Sequence, residues 1–376
     1  MKIALTKGTL SVPPTYFALT HAQKMSGAND GEFSFKFFTL AAKIEDPEIG
    51  IEVRDFAPLR RESISRRQVF FPAVLPLMAR SIAAFEPQVI HQHFATWAGP
   101  AVSASRRAGS PLITTLHGAD VMLAGRQPRN TMEKYQQRTM KAAATASARV
   151  LAVSEFLADA AIAGGFPKDK LVVHYQGIDT DWFTPDTTVV RERPQILFVG
   201  TLNDQKGILQ AVEASIGLLG EFDHDFVIAG AGPHMAELRK LQSDHGHLKL
   251  MGRLDRTAVR EQMRRATVLV APSRLSKGAR EAAGLVLLEA QACGTPVVAY
   301  DSGGIAEMVS PESGTLLTEN DVEGLRRALL AVLADDVAAR AERGAVARNF
   351  VVGHRSLAAS VSELTGHYRD VSDPTA

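Results

Sequence analysis

SRLSKGAREAAGLVLLE, residues 273–289, joins a short β-branched run at 268–271 to an apolar helical pattern that Gly294 and Pro296 close. Strand, glycine-bearing loop and helix, in that order, form the repeating half-unit of a parallel α/β sheet. The first turn of such a helix offers backbone N–H groups without internal acceptors and the positive end of the helix dipole, a seat for a diphosphate. Gly284 lets the backbone approach a ligand closely, and Leu285 and Val286 open the helix. Glu281 in the loop and Glu289 about one turn into the helix flank the seat, where carboxylates accept hydrogen bonds from sugar hydroxyls. The alternative is a capped surface helix with two unrelated glutamates. The whole string E-x-x-G-L-V-L-L-E is far more specific than its two acids.

Outward from this segment the pattern repeats. Strands are expected at 196–199, 226–229, 248–251, 268–271 and 297–300, alternating with helices at 208–217, 235–243, 256–265, 285–293 and 322–334. In the first half the expected strands are 2–5, 34–40, 51–56, 89–93, 112–117 and 150–153, with helical stretches that include 70–85 and 129–148. This alternation predicts an α/β protein of two Rossmann-like domains with parallel sheets. The stretch 177–194, GIDTDWFTPDTTVVRERP, is polar and aperiodic with two prolines, and 179–194 is taken as a linker between domains 1–178 and 195–355. Ligands of doubly wound sheets sit beyond the carboxyl ends of the strands, across the cleft expected between two such domains.

Composition narrows the classes. With 376 residues, 45% hydrophobic and 22% charged, the chain is long enough for two or three globular domains and unlike a disordered, collagenous or coiled-coil chain. Forty-two basic against 41 acidic residues leave a net charge of +1, so no global field recruits nucleic acid. No apolar run reaches the ~18 residues of a membrane span, and no signal peptide is read at the N-terminus, so a cytoplasmic protein is expected. The lone Cys293 permits no intrachain disulfide and no cysteine zinc site. Charge is uneven, however. Residues 1–185 hold 21 basic and 16 acidic side chains, the remainder 21 and 25. Arg60, Arg61, Arg66 and Arg67 precede the apolar stretch QVFFPAVLPLMARSIAAF at 68–85, which suits an anionic membrane surface or a lipid-linked acceptor. A solvated loop entering a helix is the plainer reading.

Other strand ends carry candidates. ILFVGTLNDQKG at 196–207 ends a buried strand at Gly200 and places Lys206 to meet a phosphate, unless it is an ordinary surface lysine. IAGAGP at 228–233 is a weak signal, since sharp turns need glycine anyway. TTLHGAD at 114–120 sets His117 just past a strand, as a hydrogen-bonding or acid–base group or a satisfied structural histidine. His91 and His93 alternate onto one strand face but show no third ligand, so no metal is expected. Cys293 reads as buried packing. A nicotinamide dehydrogenase is disfavoured, because no strand is followed by G-x-G-x-x-G with its acidic residue.

In order and spacing PPTYF (13–17), VIHQHF (89–94), LITTLHGADV (112–121), VSEFL (153–157), GIDTDWFTP (177–185), ILFVGTLNDQKG, IAGAGP and EAAGLVLLEAQACGTPVVAYDSGGIAEMV (281–309) resemble the family-4 retaining glycosyltransferases. Their tone is similar to enzymes of bacterial capsule, exopolysaccharide or lipopolysaccharide synthesis. The resemblance implies the GT-B fold, a nucleoside-diphosphate sugar as donor and no required cofactor. The carbohydrate or lipid-linked acceptor would bind the N-terminal domain, with peripheral contact at the inner face of the membrane. Glu289 would hold the ribose hydroxyls, Glu281 would lie near the transferred sugar, and Lys206 with the Leu285 and Val286 backbone would meet the diphosphate. Gly200 and Thr201 would lie beside the donor, and Gly252 and Arg253 would border the nucleobase. His117 would contact the donor sugar, and Gly8 would begin an N-terminal loop near donor and acceptor. The segment 356–370 would return to the N-terminal domain. One departure stands out: Thr201 occupies a position where the family usually has arginine, so Lys206 acts alone or Arg274, Lys277 or Arg280 supplies a second cation. A nucleotide-sugar epimerase and a weakly active sugar-nucleotide-binding partner remain as alternatives.

Overall fold

A computed structural model describes all residues except 14–15, 29–30, 47, 187, 190–192 and 374–376; residues of the PPTYF motif and of the 177–194 stretch fall among these exceptions. The chain divides into two compact units, Met1–Gln176 with Ser360–Ala376, and Gly177–Ala359.

In the first unit β1 (Lys2–Val12), β2 (Ser34–Ile44), β3 (Glu52–Asp55), β4 (Val89–His93), β5 (Leu112–Leu116), β6 (Arg149–Ala152) and β7 (Leu171–Val173) form one sheet. Its order is β3-β2-β1-β4-β5-β6-β7, parallel throughout. β4 and β5 are buried at every position, as expected of central parallel strands covered on both faces. Gln92 in β4 is accordingly satisfied from within: Thr6 Oγ1 donates to its Oε1 at 2.7 Å, and its amide donates to the carbonyls of His93 and Phe94.

β1 is longer than its expected 2–5. The apolar alternation continues through Leu10 and Val12, and pairing with β2 runs on to Val12 opposite Ile44. Gly8 therefore lies inside a strand and does not begin a loop. Its missing Cβ is what admits Trp97, whose ring would lie 2.3 Å from a methyl there.

The second unit repeats the plan with β8 (Gln195–Val199), β9 (Asp225–Ala229), β10 (Leu248–Gly252), β11 (Val268–Ala271), β12 (Val297–Tyr300) and β13 (Thr315–Leu317). Its order is β10-β9-β8-β11-β12-β13, again parallel. Ile196, Phe198, Phe226, Val270 and Val298 build the core with Leu325 and Leu329 of the helix Val322–Leu333. Residues 179–186, expected as linker, pack onto this unit: Phe183 is buried, Arg348 donates to its carbonyl at 3.1 Å, and Arg264 donates to that of Thr184 at 2.8 Å. Cys293 is buried, and desolvation pushes its thiol up to about 12. Strand order reverses between β1 and β4 in one sheet and between β8 and β11 in the other. Each reversal opens a crevice beyond the strand ends, where ligands of such sheets bind.

Candidate functional site

The loops after β8 and β11 meet at the second sheet's reversal. Beyond β8 the chain turns at Gly200 and Thr201, and Asn203 Oδ1 accepts the Lys206 amide at 2.9 Å, shaping the turn that carries the lysine. Gly207 follows in the left-handed region (φ 67°) and starts the helix Ile208–Ile216; a Cβ there would lie 2.0 Å from the Pro272 carbonyl oxygen. Arg274 reinforces the same junction, its amide donating to Gln205 O at 2.8 Å and its Nε to Asp204 O at 3.1 Å. The result is an ion pair between Lys206 Nζ and Glu281 Oε2.

Glu281 is held from a third strand. Its carbonyl accepts the Gly304 amide at 2.9 Å, and Gly303 (φ 65°) sits so close that a Cβ would fall 2.2 Å from that oxygen. Gly284 (φ 80°) then opens the helix Leu285–Ala292, and no side chain caps it. Lys206, Glu281, Gly284, Val286 and Ser273 line a shallow hollow at this helix start. A cation and uncapped amides facing one hollow favour an anion. Glu289 lies half-buried in the helix. Burial, opposed by the Arg256 charge, raises its carboxyl to about 7. Such a group gains from hydrogen-bond donors such as hydroxyls.

Other expected donor-side residues lie farther out. Gly252 (φ 67°) ends β10, and Arg253 beside it is exposed, two strand positions from β8. Thr201 is exposed. Among the cations considered in its place, Arg274 Nη1 is bound to Asn320 Oδ1 at 3.0 Å and Arg280 Nε to Glu319 Oε1 at 2.8 Å, while Lys277 is exposed on its loop. The glycines of IAGAGP have a packing reason: a Cβ on Gly230 would fall 1.9 Å from Gly200 O, and one on Gly232 would fall 2.4 Å from Leu202 O.

In the first unit, His117 follows β5 and is held on every side. Phe17 and Phe94 flank it with centroids at 4.3 and 4.4 Å, Gln176 Nε2 lies 3.1 Å from its Nδ1, and His93 Nδ1 lies 3.3 Å from its Nε2. Asp120 secures the loop, accepting the amides of Ala95, His117, Gly118 and Val121. Burial, then the nearby Lys7 charge, hold the His117 imidazole well below its usual range. Lys7, itself lowered by burial to about 8, stands 4.8 Å over the Phe94 ring. Neutral His117 is thus a hydrogen-bonding group at physiological pH. Gln176 was not singled out by sequence reasoning, whereas Phe17, Phe94, Asp120 and Asn203 stood unremarked inside quoted motifs.

The four arginines of the basic segment part company. Arg61 and Arg66 are exposed, the latter paired with Glu62 at 2.8 Å, and exposed Arg60 donates to the Asp55 carbonyl at 3.2 Å. Arg67 is fully buried: it pairs with Asp55 and donates to the carbonyls of Pro58, Ala42 and Ala57. A guanidinium with its donors spent inside cannot meet an acceptor, so Arg67 leaves the candidate set. Around the others, Leu59, Val69 and Leu77 are exposed.

Residues 35–182 match the model of Glycosyltransferase Family 4, and residues 193–335 that of the group 1 glycosyl transferases. The chain is 30% identical to the D-inositol 3-phosphate glycosyltransferase of Xylanimonas cellulosilytica over 73% of its own length and 71% of that relative. It is 33% identical, over 46% of its length, to a GDP-mannose-dependent phosphatidylinositol monomannoside mannosyltransferase of Corynebacterium glutamicum, of which it spans half. The fold is similar to that of HepE from Anabaena, solved in complex with UDP, at a TM-score of 0.78 and 17% identity over 98% of this chain and 100% of that one. Two parallel sheets with these motifs at their strand ends, and two family models matched in sequence, place the chain among the family-4 glycosyltransferases, and it belongs to that family with the GT-B fold.

Proposed function

We propose that the protein transfers a glycosyl group from a nucleoside-diphosphate sugar to an acceptor hydroxyl with retention at the anomeric carbon, in the synthesis of a bacterial surface polysaccharide or glycolipid. The observation that carries this reading is the Lys206–Glu281 pair beside the uncapped helix start at Leu285, at the reversal of the second sheet. The names of relatives support it, one being GDP-mannose-dependent and another crystallised with UDP. In this reading, charge developing on the leaving diphosphate is met by Lys206 and the amides of Leu285 and Val286. Glu289 takes the ribose hydroxyls, Glu281 lies by the transferred sugar, and His117 contacts that sugar. The diphosphate itself accepts the acceptor's proton from the same face.

A thermal-shift series with UDP-, GDP- and ADP-sugars tests the donor assignment. A sugar nucleotide at a hundred times its Kd stabilises the fold by about 2.7 kcal/mol. The Lys206→Ala variant removes one charge-assisted contact of ~1.5–3 kcal/mol, a roughly 10- to 150-fold loss of affinity, and leaves Glu281 facing the phosphates. Melting curves that no sugar nucleotide moves, or that move equally in both proteins, would refute the assignment.

The acceptor side is assigned to the first unit, with Arg60, Arg61 and Arg66 and the exposed Leu59, Val69 and Leu77 as a patch that rests on an anionic membrane. Each basic residue near such a surface contributes about 1 kcal/mol, so replacing all three by glutamine should weaken binding to phosphatidylserine vesicles ~100-fold. Unchanged co-sedimentation would remove the membrane from the proposal. The exposed Thr201 favours one second reading, a weakly active sugar-nucleotide-binding partner. Acceptor-dependent release of nucleoside diphosphate separates the two.

A further inference from the structure

The β4 sequence VIHQH places His91 and His93 on one face, their rings 4.2 Å apart, yet the two have different surroundings. His91 is satisfied at both nitrogens, by Tyr368 Oη and Thr115 Oγ1, each at 2.7 Å. His93 reaches His117 through Nδ1, while its Nε2 is buried with no hydrogen-bond partner. We propose that His93 is a positioning residue for His117, accepting its Nε2 proton and thereby fixing its tautomer and the orientation of its ring beside the sugar. The inference rests on the reading of His117 as a sugar contact.

The direction of the bonds follows from donor chemistry. An amide N–H only donates, so Gln176 Nε2 at His117 Nδ1 requires that nitrogen to be bare. A neutral His117 then carries its proton on Nε2 and gives it to His93 Nδ1. His93, also held neutral by burial, keeps its own proton on the partnerless Nε2. The run Gln176→His117→His93 is therefore ordered end to end.

Packing alone does not explain a histidine here. A buried N–H without an acceptor costs about 1–3 kcal/mol, which a leucine or phenylalanine would avoid. The next residue is also costly: Phe94 adopts φ 62°, a conformation uncommon for a bulky side chain, and its ring lies nearly parallel to His117. Two unfavourable features in consecutive residues both act on the same imidazole, the pattern of a group held for use.

Nitrogen-15 NMR of histidine-labelled protein at pH 7.5, with His117 assigned by its own substitution, tests this without substrate. The wild type should show His117 almost wholly as the Nε2–H tautomer, with a slowly exchanging ring proton. Removing the acceptor in His93→Leu should shift the tautomer ratio by about fivefold and speed exchange of that proton, in line with the loss of one hydrogen bond. Asparagine places an acceptor where Nδ1 stood and should restore the wild-type pattern. Glutamine places its amide at the Nε2 position and should not, and this pair remains informative if the leucine variant fails to fold. An unchanged His117 signature in His93→Leu and His93→Gln, or failure of asparagine to outperform glutamine, overturns the proposal. Absence of sugar-nucleotide turnover in the wild type would instead refute the transfer reading and leave the tautomer result intact.

Discussion

Between pH 7.5 and pH 5 the first unit is expected to lose stability steadily, from four histidines whose unfolded pKa is about 6.5. His21, His91, His93 and His117 are all held low by burial, His21 down to about 3, and His174 is shifted the same way. A depressed histidine pKa means the unfolded chain binds the proton first. Stability is therefore full above the unfolded value and drains as pH falls below it; His21 alone, held at about 3, accounts for a loss of about 2 kcal/mol by pH 5. Asp120, raised by burial, opposes the trend as a single group.

In the second unit the depressed His224 and His247 are set against Glu289, whose raised pKa adds stability as pH drops below 7. The first unit should therefore unfold at milder acidity than the second. The two tryptophans report separately, Trp97 in one unit and Trp182 in the other. Fluorescence-monitored urea titrations of Trp97→Phe and Trp182→Phe proteins at pH 7.5, 6 and 5 should show Trp97 released first. Midpoints that stay flat across this range, or that move together for both reporters, would contradict the expectation.

Gly207→Ala should be among the most damaging single-methyl substitutions near the proposed donor site. The new Cβ would enter the left-handed region and lie 2.0 Å from the Pro272 carbonyl oxygen, a backbone atom that cannot step aside cheaply. Left-handed alanine costs about 1–2 kcal/mol, and the backbone clash brings the expected loss to about 3–4 kcal/mol. Relief requires the Lys206 turn to move away from the 272–274 loop, so sugar-nucleotide affinity should fall as well. Gly246→Ala, at an exposed site with nothing within 4 Å, should stay within about 0.5 kcal/mol of the wild type. Equal melting temperatures for the two variants would mean that the turn tolerates what its geometry forbids.

Local patterning carried much of the architecture. Val89–His93, Val268–Ala271, Val297–Tyr300 and the helix Arg256–Arg265 have the bounds expected of them, because buried parallel strands read as short apolar runs between turn residues. Leu171–Val173 and Thr315–Leu317, three-residue edge strands, were missed because such a run carries no period. Lys206, Glu281 and Gly284 stood out because each follows a strand end. Arg67 misled because its neighbours in sequence are solvated, whereas its partners Asp55 and Ala42 lie 12 and 25 positions away. The histidine cluster draws on positions from 21 to 174, a proximity made by folding alone, and Gly303, inside the quoted 281–309 string but given no role there, supports Glu281 through its backbone.

That last contact bears on how the protein comes into being. Lys206 follows β8, Glu281 follows β11, and the glycines bracing Glu281 follow β12, three adjacent strands spread over about a hundred residues of chain. During synthesis the proposed nucleotide seat stays incomplete until residue 304 has left the ribosome and the third strand has docked. Capture of a sugar nucleotide by a nascent chain would then mark the moment at which the middle of that sheet closes.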